Sequence, residues 1–171
     1  VKEYTVTIKR PYATIKGSIF LKAMQTKKIY KSNIRIYNSD DVSKTIDWSK
    51  VESNKRDNIH EQLLQIKSND SETNDDGTFE IKVVPGTYDI LIDKAGYLDK
   101  IFTKRTLNEG DNLDLGENEL YFGDFNKDGV IQLLDNSALY KLYDSDSESD
   151  EYDETMDSNE DGKIQLLDLS A

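Results

Sequence analysis

Residues 124–135 read DFNKDGVIQLLD, and residues 157–168, 33 positions on, read DSNEDGKIQLLD. A chain that repeats twelve residues with its acids at matched places builds one local structure twice. Counted from the first Asp, position 1 is Asp124, 3 is Asn126, 5 is Asp128, 6 is Gly129, 7 is Val130, 9 is Gln132 and 12 is Asp135. The second copy supplies Asp157, Asn159, Asp161, Gly162, Lys163, Gln165 and Asp168 at those places. This is the order of a calcium loop, in which oxygens at 1, 3, 5 and 12 converge on a hard cation. Position 7 contributes a backbone carbonyl, so Val130 and Lys163 serve equally. Position 9 acts through a water, which suits Gln132 and Gln165. Glycine at 6 takes a turn that a side chain obstructs.

The charges make a cation necessary. Each loop gathers three carboxylates, and one pair about 4 Å apart repels by roughly 4 kcal/mol at an effective dielectric of 20. Two Ca²⁺ ions are therefore expected, and without them the loops should splay. Residues 124–171 hold 3 Lys+Arg against 14 Asp+Glu, a net of −11, whereas residues 1–123 hold 19 against 20, a net of −1. Two calcium ions bring −11 to −7. A boundary follows at Gly123, giving units 1–122 and 123–171. The acidic unit repels phosphate backbones, which excludes nucleic acid as a partner. Residues 144–154 (DSDSESDEYDE) show no apolar period and are expected to be a solvated run.

With no Cys, thiol chemistry and disulfides are excluded. No apolar run reaches about 18 residues, so no membrane insertion is expected. The first ten residues, VKEYTVTIKR, lack the apolar core of a signal peptide, so either a leader was removed or the chain is a piece of a longer protein.

The first unit reads as strands. Tyr4, Val6 and Ile8 share one face; Ile15, Ile19 and Leu21 another; Ile34 and Ile36 a third. Residues 74–77 (NDDG) form a turn before FEIKVV, whose Phe79, Ile81 and Val83 point one way. Pro85-Gly86 turns the chain into TYDILID, with Tyr88, Ile90 and Ile92 inward. An all-β antiparallel sandwich of immunoglobulin-like character is expected. Residues 39–71 fit less well and read as an insertion. Within them Leu63, Leu64 and Ile66 suit either a strand pairing with residues 79–83 or a short helix. Trp48, the only Trp, is expected to pack, although an exposed indole would stack on a sugar ring. His60, the only His, has no catalytic partner at a recognisable spacing.

DGTFEIKVVPGTYDILIDKAGYLDK, residues 76–100, resembles the carboxypeptidase-regulatory-like β-sandwich in its DG-x-F, PG-x-Y and K-x-GY steps, and the resemblance spans about residues 13–120. It implies a structural spacer and no active site. The acidic repeats end in Asp where an EF-hand carries Glu. The first follows a strand-like ENELYF, and a helix (LLDNSALYKLY) comes only after the loop. Paired loop–helix units of this kind resemble a dockerin, and GDFNKDGVIQLLD after a β-unit is similar to an X-module joined to one. The resemblance implies a small all-α dockerin over residues 123–171. It also implies a calcium-dependent adaptor that is not an enzyme, secreted or attached to the bacterial cell surface. Its partner would be a cohesin module of a scaffoldin or of a cell-surface anchoring protein, in a cellulosome, with the X-module bracing the dockerin. Recognition by loop positions 10 and 11 and the following helix would fall on Leu133, Leu134, Ser137, Tyr140 and Lys141, and on Leu166 and Leu167 of the second copy. Ile131 and Ile164, at position 8, are expected to join the loops by a β-bridge. The second helix is expected to be truncated, since Ala171 matches Ala138, which removes the basis for symmetric two-way binding. The alternative is a carbohydrate-binding sandwich with purely structural calcium.

Overall fold

The computed structural model describes residues 11–23, 26–28, 31–49, 51 and 59–169. The stretch holding Tyr4, Val6 and Ile8 lies outside them. Two four-stranded sheets dominate the described chain. In the first, β1 (Ala13–Ala23) pairs antiparallel with β2 (Thr26–Lys28) and with β5 (Thr78–Val83), and parallel with β8 (Asn112–Tyr121). The second runs β4-β3-β6-β7, all antiparallel, from β3 (Asn33–Asn38), β4 (Ser68–Glu72), β6 (Gly86–Asp93) and β7 (Lys100–Leu107).

The period-2 pattern sets which side chains meet. Ile15 lies opposite Ile81 on one side and Leu113 on the other, and Leu21 lies opposite Leu120. Ile34 and Ile36 face Ile92 and Ile90 across the second sheet. These residues except Leu113, which packs half-buried against them, form with Phe79, Val83, Tyr97, Leu107 and Phe122 one buried core between the sheets. Each fully buried Ile or Leu contributes about 1.5–3 kcal/mol through area removed from water. Gly17 stands where β1 and β8 shift register, and a Cβ there would lie 2.9 Å from Phe79 Cζ and 3.0 Å from the Gly116 carbonyl.

The insertion covers the outer face of the second sheet. Two short helices, α1 (Ser39–Thr45) and α2 (Ile59–Leu64), bring Val42, Ile59 and Leu63 onto Tyr37 and Leu91 in a second, smaller core. Helix α1 starts because Asn38 Oδ1 accepts the Asp40 N–H at 2.9 Å, with Asp40 and Asp41 in its first turn. Of the two readings left open for Leu63, Leu64 and Ile66, the short helix forms at Leu63 and Leu64, and Ile66 lies in the bend that follows. Trp48 packs half-buried against this second core, which is the packing role anticipated for it.

The expected fold class is corrected in two respects. The β-part is not purely antiparallel, because β8 closes on β1 in parallel, and it carries two helices. Strand alternation records which face is buried but not strand direction, so the sequence pattern is blind to this pairing. Residues 123–171 are also not all-α. Among the described residues they contain α3 (Leu133–Lys141), a single 3₁₀ turn (Glu154–Met156) and the four-residue α4 (Leu166–Leu169), the other described residues lying in loops, turns and one isolated bridge. Each loop consumes nine residues before its helix starts, and the Asp/Ser-rich residues 144–153 favour turns, where their side chains bond to nearby backbone.

Candidate calcium loops and docking face

The two acidic loops fold alike, residue for residue. Position 4 is left-handed in both (Lys127 φ 59°, Glu160 φ 57°), as is the glycine at 6 (Gly129 φ 82°, Gly162 φ 80°). The position 1 carboxylates accept the position 6 amides: Gly129 N–H to Asp124 Oδ2 at 3.1 Å and Gly162 N–H to Asp157 Oδ2 at 2.9 Å. Position 3 accepts from position 5, Asp128 N–H to Asn126 Oδ1 and Asp161 N–H to Asn159 Oδ1, both at 3.0 Å. Position 5 accepts from position 7, Val130 N–H to Asp128 Oδ1 and Lys163 N–H to Asp161 Oδ1, also 3.0 Å. These bonds curl the chain so that side-chain oxygens line the inside of each loop.

The Asp at position 12 closes the curl and starts the helix together. Asp135 Oδ1 accepts the Phe125 N–H at 2.9 Å and Oδ2 accepts the Gln132 N–H at 3.0 Å. Asp168 repeats this on the Ser158 and Gln165 amides, both at 2.8 Å. Gln132 and Gln165 thus precede α3 and α4, and the Asp three residues later satisfies the backbone donor at the helix entrance, as the acid of a capping box does.

One atom in each loop is left over. Asp124 and Asp157 are 1% and 5% exposed, and their Oδ1 atoms are buried without any hydrogen-bond donor. Burial pushes the Asp124 carboxyl up to about 6, against an opposing pull from Lys127. Two buried carboxylate oxygens without donors, at the same place in two copies of one loop, suit a cation held by hard oxygen ligands. In the first loop the outer side chains bond to one another, Asn126 Nδ2 and Gln132 Nε2 both donating to Asp128 Oδ2 at 2.9 and 2.8 Å. Among the described residues, no three His, Cys, Asp or Glu side chains close on one point.

The seven residues proposed for recognition fall on the helices that these loops start. Leu133 and Leu134 are 76% and 63% exposed, Leu166 and Leu167 66% and 55%, and Tyr140 60%. Ser137 and Lys141 are exposed too, with Ser137 Oγ donating to the Leu133 carbonyl at 2.9 Å. Leu139 alone anchors α3 inward among its large apolar residues. Tyr143, absent from the expected set, extends the ridge, its ring tilted against Tyr140 at 6.4 Å between centroids. The expected bridge between Ile131 and Ile164 is not formed. Ile164 is fully buried and Ile131 is 43% exposed. The strand-like contact of the second loop is made instead by residues 144–147: Asp146 pairs with Lys163, Asp144 N–H bonds the Ile164 carbonyl at 2.8 Å and Ile164 N–H bonds the Ser145 carbonyl at 3.0 Å. The chain turns back at Asp144 (φ 69°) and reaches that edge first.

Sequence reasoning also missed how the loops sit on the β-part. Lys127 Nζ donates to the carbonyls of Tyr97 (2.6 Å) and Lys94 (3.0 Å) and to Asp99 Oδ1 (2.8 Å). Asp99 Oδ2 in turn holds His60 Nδ1, which pulls the His60 pKa upward. Gly123 N–H bonds the Gly96 carbonyl at 2.8 Å, and Tyr97, Phe122 and Phe125 stack edge to face. The available signal was Lys127 itself, the one base between two ligand positions of the first loop.

A β-part closed by a parallel last strand and followed by paired cation-loop–helix units defines a class of module. Residues 122–171 match the family model of the dockerin type I domain, a family whose domains bind calcium. The chain is similar to crystal structures of two interface mutants of a type II cohesin–X-dockerin complex from Acetivibrio cellulolyticus. The N-terminal mutant matches at 24% identity and a TM-score of 0.60, the C-terminal one at 22% and 0.58, each over 92% of this chain and 90% of theirs. At these identities the likeness defines the fold, so the differing type I and type II labels are not in conflict. No curated protein sequence matches the chain.

Proposed function

We propose that this chain is a non-catalytic, calcium-dependent adaptor whose dockerin binds a cohesin module to assemble or anchor a cellulosome. In this reading units 1–122 and 123–171 divide the work, the first bracing the second. Two Ca²⁺ ions occupy the loops, one held by Asp124, Asn126, Asp128, the Val130 carbonyl, Gln132 through water and Asp135. The other is held by Asp157, Asn159, Asp161, the Lys163 carbonyl, Gln165 and Asp168. The cohesin belongs to a scaffoldin or a cell-surface anchoring protein, and the complex works outside the cell.

The observation that carries the proposal is the pair of adjacent leucines after each loop, all four more than half exposed on helices whose first turns the loops fix. Adjacent large apolar side chains in water on a fixed helix suit the dry centre of an interface, with Tyr140 beside them and Lys141 at the rim. Titration calorimetry against a panel of cohesins, with and without chelator, tests it. Binding to at least one cohesin in calcium and its loss in chelator is the expected result. Binding to none in calcium, or equal binding in chelator, overturns it.

A further inference from the structure

The side of the first loop that meets the β-part is built around one lysine. Its ammonium has three acceptors within 3.0 Å, two backbone carbonyls and a carboxylate. The Lys127 side chain is 19% exposed and Asp99 10%. Three acceptors match the three donors of an ammonium, so Lys127 is fully used by the 94–99 turn. Asp99 is tied to α2 by His60, which carries the contact into the insertion. On the same turn, a Cβ on Gly96 would lie 2.3 Å from the Thr155 carbonyl, ahead of the second loop, so the turn touches both halves of the acidic unit.

The second loop supplies the control. Its position 4 residue is Glu160, with the same left-handed backbone (φ 57°) and the opposite charge. A base is therefore not needed to form the loop, and the lysine answers to the β-part. Position 4 projects to the 94–99 turn only while the loop is curled, and the curl depends on the side-chain oxygens at 1, 3 and 5. Lys127 sits between the two ligand positions Asn126 and Asp128, so any uncurling moves it first.

We propose that Lys127 is a positioning residue that couples calcium loading of the first loop to seating of the 94–99 turn, and so holds the α3 face at a fixed orientation to the β-part. This rests on the reading of the loops as calcium sites but not on the identity of the partner.

The test follows the β-part of the full chain through Trp48 fluorescence during thermal unfolding, in excess Ca²⁺ and in chelator. In the wild type, calcium is expected to raise the midpoint by about 5 °C. Lys127→Met should abolish that shift while calorimetry still counts two ions bound. Lys127→Arg, which keeps donors and charge, should retain most of it. Gly96→Ala leaves both loops intact and unseats the turn from the other side; it should also abolish the shift, and it decides the matter if Lys127→Met fails to bind calcium or to fold. A full shift in Lys127→Met or Gly96→Ala, or no calcium-dependent shift in the wild type, overturns the proposal. Failure to bind any cohesin would overturn the proposed function and leave this result standing.

Discussion

Replacing Asp124 by Asn alters one atom of the first loop and separates two energies that the wild type combines. In chelator at pH 7 the wild type buries an ionised carboxylate at 1% exposure with one oxygen lacking a donor. Its pKa is pushed from 3.8 up to about 6 by burial. Two units correspond to about 3 kcal/mol of destabilisation at neutral pH. The Asn carbonyl can still accept the Gly129 amide, and its unmet amino group costs about 1 kcal/mol. Asp124→Asn should therefore be more stable than the wild type in chelator, by about 1–2 kcal/mol. Calcium at a thousandfold over its dissociation constant adds about 4 kcal/mol per site, and the variant forfeits that gain at the first site. In calcium it should be less stable, by about 2–3 kcal/mol, so the sign reverses. The pH dependence has a definite direction as well. Because the folded pKa is raised, the chelated wild type binds more protons folded than unfolded between about pH 4 and 6. It loses stability as pH rises through that window, and the variant lacks this component. Urea unfolding of the full chain with and without calcium, at pH 5 and 7, measures all four quantities. Equal destabilisation by Asp124→Asn in chelator and in calcium would refute the reasoning.

Chelation should sharply lower the stability of residues 123–171 while Trp48 fluorescence at 25 °C stays native; unchanged melting of residues 123–171 in chelator would count against it. Leu133→Asp with Leu134→Asp should abolish cohesin binding, a loss of at least about 100-fold from burying two leucines at about 1.5 kcal/mol each. Two ions should remain bound and the melting point should stay within a degree or two; retained affinity sinks the assigned face. Trp48→Ala should destabilise the β-part by about 1–3 kcal/mol, since the ring packs on the second core. It should leave migration in polysaccharide gels unchanged, and a lost retardation would restore the carbohydrate reading.

The loops were the most legible part of this chain. Glycine at 6, Asn at 3 and acids at 1, 5 and 12 each answer to a backbone angle or an amide now located, so reading ligand order also read the curl. The inward faces of β1, β5 and β6 were legible because Ile15, Ile81, Val83, Ile90 and Ile92 fall at alternate positions of their strands, although in β6 the intervening Leu91 is buried as well, in the second core. Strand direction was not, since Ile15 meets Leu113 as readily from a parallel as from an antiparallel neighbour. The bridge expected of Ile131 does not form, because like positions in a repeat need not meet and residues 144–147 pair with that edge instead. Lys127 was passed over because a loop read for its ligands treats position 4 as neutral.

The parallel closure of β8 on β1 has a mechanical side. Load entering from α3 arrives at the Tyr121 end of β8, while load on the preceding chain arrives at the Ala13 end of β1. Two parallel neighbours pulled at opposite ends slide lengthwise, so the ladder from Thr14–Asn112 to Lys22–Tyr121 resists in shear, its rungs strained together. An antiparallel last strand would open one rung at a time. Under load applied between α3 and the chain ahead of β1, the β-part is thereby stiffest along the line of pull.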